Sequence, residues 1–144
     1  MTTKGADMPL PMDVQRLFRA PNFAMMSTLG PDGSPQTSVM WVKVEGDEIL
    51  FSTLKSRQKA ANLTRDPRIS VLVQDPDRAY EYVEVRGTAT LADDTGRTVA
   101  NDLSLAYAGQ PFRSEPPDQV RLVVRVSPRK VLKYLGSGQV VRLA

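Results

Sequence analysis

The chain has 144 residues, a formal net charge of +3 and a composition that excludes several kinds of chemistry. It contains no cysteine and no histidine, so disulfides, the usual zinc ligand sets, thiol nucleophiles and Ser-His catalytic pairs are ruled out. We therefore predict no metal site, and a bound organic cofactor for any difficult chemical step. The small charge excess does not favour nucleic-acid binding, and no recognised nucleic-acid motif accompanies it.

The length predicts one domain over residues 1–144. Residues 1–11 are polar and interrupted by proline, which predicts a flexible N-terminal segment. That segment lacks the apolar core of a signal peptide, and no apolar run approaches the roughly 18 residues of a membrane-spanning helix. These features predict a cytoplasmic protein that does not bind membranes.

In chain order, the pattern predicts a leading helix and then strands joined by tight turns. Apolar residues at helical spacing predict the helix over 12–19, with Asp13 as its candidate cap and Pro21 ending it. After this helix, apolar residues recur at every second position, which marks the strands. The strands are predicted over 23–29, 36–44, 49–53, 69–73, 80–91, 120–126 and 130–135, with the tail 140–143 as an added edge or a contact with a partner.

Two further helices and one glycine complete the predicted fold. One helix follows the strand 49–53, another covers 94–108, and Pro128 separates the last two strands. Gly87, inside the long strand, predicts a bulge or a bend that lets a sheet curl. The sequence therefore predicts a mainly β protein with peripheral helices, built on an antiparallel barrel of six or more strands.

Basic side chains cluster around the start of the second helix, and they are Lys55, Arg57, Lys59, Arg65 and Arg68. Ser56 is the predicted cap, while the free backbone N–H groups and the helix dipole favour a nearby anion. Arg57 and Lys59, two positions apart, are suited to hold one phosphate from two sides. The alternative is that these cations only solvate the outer face of the helix, with Ala60 and Leu63 turned inward.

The order of elements and this motif resemble the split β-barrel flavin-binding family related to pyridoxamine 5′-phosphate oxidase. The resemblance covers about residues 12–136 and rests on Phe51-Ser52-Thr53, Ser56-Arg57-Gln58-Lys59-Ala60-Ala61-Asn62-Leu63 and Arg65-Asp66-Pro67-Arg68. The pattern Arg-x-Lys-x-x-Asn-Leu-x-Arg-Asp-Pro-Arg is similar to the actinobacterial branch that uses the deazaflavin coenzyme F420 rather than FMN. The resemblance implies a split antiparallel β-barrel.

The resemblance also implies where a cofactor binds. The matched positions are Ser38, Val39, Met40 and Trp41 beside the ring, Ser52 and Thr53 facing the ribityl chain and phosphate, and Lys55, Ser56, Arg57 and Lys59 around the phosphate. Trp41 is open to a second interpretation, since a lone tryptophan on a strand is also typical of a core or a dimer interface. A homodimer is implied because the symmetric partner closes the groove of each half-barrel.

Tyr82 matches the family position whose side chain reaches the cofactor bound mainly by the other subunit, and Tyr80 is a weaker candidate. Both tyrosines are alternatively interface packing. Trp41, Tyr80 and the loop 110–117 are expected to set the width of the pocket. Lys55, Arg65 and Arg68 are candidate partners for the anionic tail of F420, or are simply solvated.

The chain departs from pyridoxamine phosphate oxidase itself. Gln58 separates Arg57 from Lys59, and residues 136–144 lack the tryptophan-and-arginine substrate motif. The implied function is hydride transfer from reduced F420 to a conjugated organic acceptor of unknown identity, with Tyr82 or solvent as proton donor and no residue assigned as catalytic. The alternatives are an FMN-dependent oxidase or reductase of the same fold, and a non-catalytic carrier of F420 or a tetrapyrrole.

Overall fold

The computed structural model describes residues 9–143, which form an eight-stranded antiparallel sheet with three α-helices. The helices are α1 (Met12–Arg19), α2 (Gln58–Arg65) and α3 (Thr98–Ala108), with a 3₁₀ turn at Thr95–Arg97. The strands are β1 (Ala24–Leu29), β2 (Pro35–Met40), β3 (Lys43–Glu45), β4 (Glu48–Leu54), β5 (Arg68–Asp75), β6 (Arg78–Asp93), β7 (Arg121–Tyr134) and β8 (Val140–Arg142). Their order is β2-β1-β5-β6-β7-β4-β3, and β8 pairs with β7.

The two edge strands of the sheet are neighbours in the sequence, and this closes the sheet into a barrel. β2 and β3 lie at opposite ends of the strand order, yet only Trp41 and Val42 separate them. Because consecutive Cα atoms are about 3.8 Å apart, Met40 and Lys43 lie at most about 11 Å from each other. The sheet must therefore curl so that its two edges, which are not paired with each other, come close together at that end, as in the predicted split barrel.

The passage of the chain from β2 to β3 corrects one prediction. A single strand was expected over 36–44, but the chain leaves one edge of the sheet at Met40 and joins the other at Lys43. The alternation of polar and apolar residues continues through the link because Val42 is buried while Trp41 is only half-buried. A period of two therefore marks both strands without marking the break.

The barrel is filled by alternate side chains from its strands. Ile49 and Phe51 of β4 are fully buried, as are the valines at matching positions of β5, β6 and β7. Helix α1 packs on this cluster through Val14 and Phe18. Burying each such side chain is worth about 1.5–3 kcal/mol, so the interior is the main source of stability.

The predicted flexible segment, residues 1–11, falls mostly on residues 1–8, which lie outside the described residues. Leu10 is 3 % exposed and packs in the core. Its N–H donates to Asp47 Oδ1 at 3.2 Å. The end of this segment is therefore part of the fold.

Strand β7 runs unbroken across Pro128, although the sequence predicted two strands separated there. A bulge explains the difference. Gly87 pairs with Pro128 while the residue before Gly87 pairs with Lys130, so Arg129 is the extra residue. A Cβ on Gly87 would lie 2.2 Å from the carbonyl oxygen of Ser127. The predicted bulge at Gly87 is confirmed, and its irregular pairing accommodates the proline.

The leading helix has the predicted bounds, but Asp13 is not its cap. Pro11 occupies the N-cap position with no side-chain hydrogen bond. Asp13 lies in the first turn, where its carboxylate accepts from the Val14 N–H (3.0 Å) and pairs with Lys133 (3.0 Å).

The C-terminal tail forms the edge strand β8, which pairs with β7. This is the first of the two roles predicted for the tail. Among residues 9–143, no helix is long and apolar enough to cross a membrane.

Candidate cofactor site

A cleft of about 700 Å³ lies between the barrel and helix α3. One wall comes from the barrel and carries Val39, Met40 and Trp41 from the end of β2, Ser52 from β4, Arg57 before α2 and Arg121 at the start of β7. The other wall is one face of α3 with the loop 110–113. This volume is within the range of about 300–1,000 Å³ that small-molecule sites occupy.

Helix α3 is held at its start by a buried carboxylate. The two oxygens of Asp94 accept hydrogen bonds from the N–H groups of Val99 (3.0 Å) and Ala100 (2.9 Å), and Gly109 ends the helix with a φ of 70°. The predicted helix over 94–108 is thus confirmed, with a 3₁₀ turn in place of its first residues. Its face toward the cleft carries Ala100, Leu103, Ser104 and Ala108. Small residues one turn apart leave room between the helix and the barrel.

Trp41 forms a flat part of the barrel wall and is fixed there by Tyr107 of α3. The two rings stack with centroids 5.4 Å apart and an angle of 13°. The Tyr107 hydroxyl donates to the Asn22 carbonyl (2.7 Å) and accepts from the Val42 N–H (3.1 Å). Burial raises the pKa of the Tyr107 phenol, so it keeps its proton at neutral pH. Trp41 therefore both lines the cleft and packs against the helix.

Arg121 connects the barrel wall to the loop that follows α3. Its guanidinium pairs with Glu115, lies 3.5 Å from the Ser52 hydroxyl and sits 5.0 Å from the centre of the Phe112 ring. Glu115 is also paired with Arg97 at 2.9 Å. The hydrogen bond from Arg121, which outweighs the effect of burial, holds the pKa of the Glu115 carboxyl below its usual value. Arg121 is thus largely neutralised and fastens the loop.

The start of α2 differs from the prediction in its cap. Arg57 occupies the N-cap position, the helix begins at Gln58, and no side chain of the described part of the chain caps it. Ser56 is exposed in the preceding turn, so its predicted capping role is wrong. The turn itself is closed by the Arg57 N–H, which donates to the Leu54 carbonyl at 3.0 Å. This geometry leaves the Arg57 side chain free to line the cleft.

Arg57 and Lys59 form a positive pair that has no counter-ion in the described part of the chain. Neither side chain has a hydrogen-bond or ion-pair partner within residues 9–143. Burial lowers the pKa of the half-buried Lys59 ammonium, and the nearby Arg57 lowers it further. An anion bound here would relieve that repulsion. Ala60 and Leu63 are buried on the inner side of α2, as predicted.

The structure separates the two hydroxyl residues of β4. Ser52 lines the cleft, whereas Thr53 is 3 % exposed and lies on the opposite face of the strand, with Phe51.

Tyr82 does not line the cleft of its own chain. It stacks on Tyr134, with ring centroids 4.4 Å apart, beside a separate small cavity. Tyr80 is 82 % exposed. Five predicted site residues thus lie together, namely Val39, Met40, Trp41, Ser52 and Arg57, while Ser38, Thr53, Lys55, Ser56, Lys59 and Tyr82 do not line this cleft.

The remaining cations of the motif, on and beside α2, lie outside the cleft. Arg65 donates to the Leu29 carbonyl, and Arg68 pairs with Asp66 at 2.7 Å, which lowers the pKa of Asp66 to about 2. Lys55 and Arg65 line a different cavity from the cleft. The motif therefore contributes Arg57 to the cleft and several surface contacts outside it.

Asn62, the signature asparagine of the motif, is fully buried and structural. Its amide donates to Thr28 Oγ1 (3.0 Å) and Gln36 Oε1 (3.3 Å), and its oxygen accepts from Gln58 (2.8 Å). These bonds join α2 to the hairpin of β1 and β2. Asn62 thereby positions the helix start that carries Arg57.

The sequence identified only part of the second wall of the cleft. The loop 110–117 was expected to set the width of the pocket, and its residues 110–113 line the cleft. Arg121 and the inward face of α3 were not predicted to contribute. The sequence did contain one sign of the helix face that lines the cleft, because the small residues Ala100, Ser104 and Ala108 follow each other at the spacing of about one helical turn. The sequence alone does not show which barrel strands this face lies against.

The donor set of the cleft fits a phosphorylated ring cofactor. It offers the unpaired guanidinium of Arg57 and the Ser52 hydroxyl for a phosphate, with the Trp41 indole as a flat wall. The lining contains three arginines and no carboxylate. Residues 9–143 also contain no group of three or more acidic side chains suited to a metal ion. The fold and the cleft thus define a split-barrel protein with a positively charged, cofactor-sized site.

Comparison with known proteins identifies the family. The model of the pyridoxamine 5′-phosphate oxidase family matches residues 10–134, and the chain belongs to that family. This confirms the resemblance found in the sequence.

Solved structures give the same result. An F420 reductase is 30 % identical, with a TM-score of 0.75 over 85 % of this chain and 98 % of that one. A conserved hypothetical protein from Mycobacterium tuberculosis is 27 % identical, with a TM-score of 0.71 over 92 % and 89 %. General Stress Protein 26 from Bacillus anthracis str. Sterne, 20 % identical with a TM-score of 0.65 over 92 % and 100 %, shares the fold. The family match and the F420 reductase together support a flavin or deazaflavin oxidoreductase family.

Proposed function

We propose that this protein transfers a hydride from reduced F420 to a conjugated organic acceptor. The observation that carries the proposal is the guanidinium of Arg57, in a chain 30 % identical to an F420 reductase. It lines the cleft at the N-terminus of α2 and has no hydrogen-bond or ion-pair partner among residues 9–143. The coenzyme phosphate is the anion that Arg57 would bind. The match to that reductase favours F420 over FMN, since the phosphate site by itself suits both.

The residues of the barrel wall would orient the coenzyme. Arg57 and Ser52 would hold the phosphate, and the chain at Val39 and Met40 would border the ring, with Trp41 as the adjoining flat surface. When bound, reduced F420 supplies a hydride, two electrons with one proton, to an electrophilic carbon of the acceptor, and a second proton completes the reduced product. The protein would contribute mainly orientation and the exclusion of water.

We also propose that two copies of the chain assemble, with each completing the cleft of the other. Seven large hydrophobic side chains are exposed among residues 9–143, and they include Phe23 by 59 %, Val39 by 63 % and Tyr80 by 82 %. A symmetric partner would cover such a surface and would bring its Tyr82 toward the cofactor. Sedimentation should give twice the chain mass of 15.9 kDa. A monomer at micromolar concentration would contradict the proposed assembly.

Tyr82 and solvent are the two proposed sources of the second proton. A Tyr82→Phe variant that binds coenzyme normally is expected to lose turnover if the hydroxyl is the donor. Unchanged turnover in that variant would assign the proton to solvent.

The proposal is tested by following the oxidation of reduced F420 without oxygen, in the presence of a panel of quinones and enones. We expect turnover with reduced F420 and little with reduced FMN. Arg57→Gln should raise the KM for reduced F420 about ten- to hundredfold, because a hydrogen bond to a charged group is worth about 1.5–3 kcal/mol. Arg19→Gln removes the same charge from α1, outside the cleft, and is the matched control. Turnover with reduced FMN alone would favour the second candidate, an FMN-dependent enzyme.

A further inference from the structure

A second guanidinium in the cleft, that of Arg113, has no hydrogen-bond or ion-pair partner within residues 9–143. We propose that Arg113 binds a carboxylate of the acceptor, so that the substrates of this site are conjugated carboxylic acids. This inference rests on the proposed function above and adds the class of substrate to it.

The loop that carries Arg113 is fastened on both sides of it. Before Arg113, the Gln110 carbonyl accepts from a serine hydroxyl of α3 at 2.7 Å, and the Phe112 N–H donates to an asparagine of α3 at 3.0 Å. After it, Glu115 is paired with two arginines. One of these, Arg97, has a left-handed backbone with φ 57°, a conformation that costs about 1–2 kcal/mol. The backbone that carries Arg113 is therefore held by the fold before any ligand binds, while the Arg113 side chain itself is exposed.

The carboxylates near Arg113 are already paired. Arg113 also borders a smaller cavity that contains Asp102 and Glu115. Asp102 is bound by Lys43 at 2.9 Å, and Glu115 by its two arginines. Since no acidic side chain of residues 9–143 lines the cleft itself, the charge of Arg113 is available to a ligand.

The position of Arg113 points to the acceptor and not to the coenzyme. Under the proposed function the coenzyme lies along the barrel wall, where Arg57 would bind its phosphate. An acceptor stacked on the exposed face of the ring would then lie toward α3 and the loop, the wall that carries Arg113. A guanidinium binds a carboxylate through two parallel hydrogen bonds, which fixes the orientation of a planar acid as well as its position.

The test uses a matched acid and ester. The protein loaded with F420 is titrated by calorimetry with 3-benzoylpropionate and with its methyl ester. This acid has no conjugated carbon–carbon double bond, so its binding is measured without reduction of such a bond. Turnover of the corresponding unsaturated pair, trans-3-benzoylacrylate and its methyl ester, is measured with reduced F420. We expect the wild type to bind the acid at least about tenfold more tightly than the ester. Arg113→Gln should remove this preference, leave ester binding unchanged and leave F420 affinity unchanged.

Arg19→Gln is again the control, because it lowers the net charge equally and should keep the preference for the acid. Equal binding of acid and ester by the wild type, with normal F420 binding, would overturn this inference and leave the proposed function intact. Weaker F420 binding by Arg113→Gln with an unchanged acid preference would assign the arginine to the coenzyme and would also overturn it. Failure of the wild type to bind F420 would overturn the proposed function and this inference together.

Discussion

Replacing Tyr107 by phenylalanine isolates the hydrogen bonds that hold the tryptophan wall of the cleft. The ring stays, so its stacking on Trp41 at 5.4 Å is retained. The lost hydroxyl accepts from the Val42 N–H (3.1 Å) and donates to the Asn22 carbonyl (2.7 Å). Val42 is only 2 % exposed, so its N–H would have no access to water.

The expected cost follows from that burial. A buried polar group left without its partner costs about 1–3 kcal/mol, whereas the half-buried Asn22 can be hydrated. We therefore expect Tyr107→Phe to lower the free energy of unfolding by about 1–3 kcal/mol. The stack itself should add little to this difference because it is unchanged.

The assay is urea unfolding followed by tryptophan fluorescence. Trp41 is the single tryptophan of the chain, so the signal comes from the perturbed wall itself. The midpoint should fall with an unchanged slope. Tyr80→Phe removes a hydroxyl from a side chain that is 82 % exposed, and this control should stay within about 0.5 kcal/mol of the wild type. A loss below about 0.5 kcal/mol in Tyr107→Phe would refute the reasoning.

Three further predictions concern the barrel, the helix start and the loop. Gly87→Ala should cost about 1–3 kcal/mol in urea unfolding, since the new Cβ would lie 2.2 Å from a backbone oxygen; wild-type stability would contradict the bulge geometry. Asn62→Ala should cost about 1–3 kcal/mol by the same measurement and weaken coenzyme binding as α2 loosens, and no change in either would show that the network is dispensable. The pKa of Glu115 is lowered in the folded protein, so its pairing with Arg121 stabilises the loop above its ordinary pKa of 4.5 and is lost as the pH falls through the lowered value. Glu115→Gln should therefore show less loss of stability than the wild type on acidification below 4.5, and equal losses would contradict this assignment.

Much of the fold could be predicted because the strands have a local signature. The period of two and the turn residues are set by neighbouring residues, and a glycine inside a strand pattern, such as Gly87, indicates a bulge. The break between β2 and β3 was missed because only closure of the barrel requires it. The continuity of β7 across Pro128 was missed because the bulge depends on pairing with β6, about forty residues earlier in the sequence.

The candidate site was predicted only where its residues are close together in the sequence. Ser52 and Arg57 follow one motif, and Val39 to Trp41 come from one strand end. Arg113 reaches the same cleft from the loop after α3 and Arg121 from the start of β7, and no local pattern joins them to Arg57. The separation of Ser52 from Thr53 was within reach of the sequence, because adjacent strand residues point to opposite faces.

The most direct test of the central claim is a pair of calorimetric titrations of the purified protein, one with F420 and one with FMN, repeated on Arg57→Gln. We expect F420 to bind more tightly than FMN, and Arg57→Gln to weaken F420 binding about ten- to hundredfold. Tighter binding of FMN, or no binding of either cofactor, would contradict the proposed function.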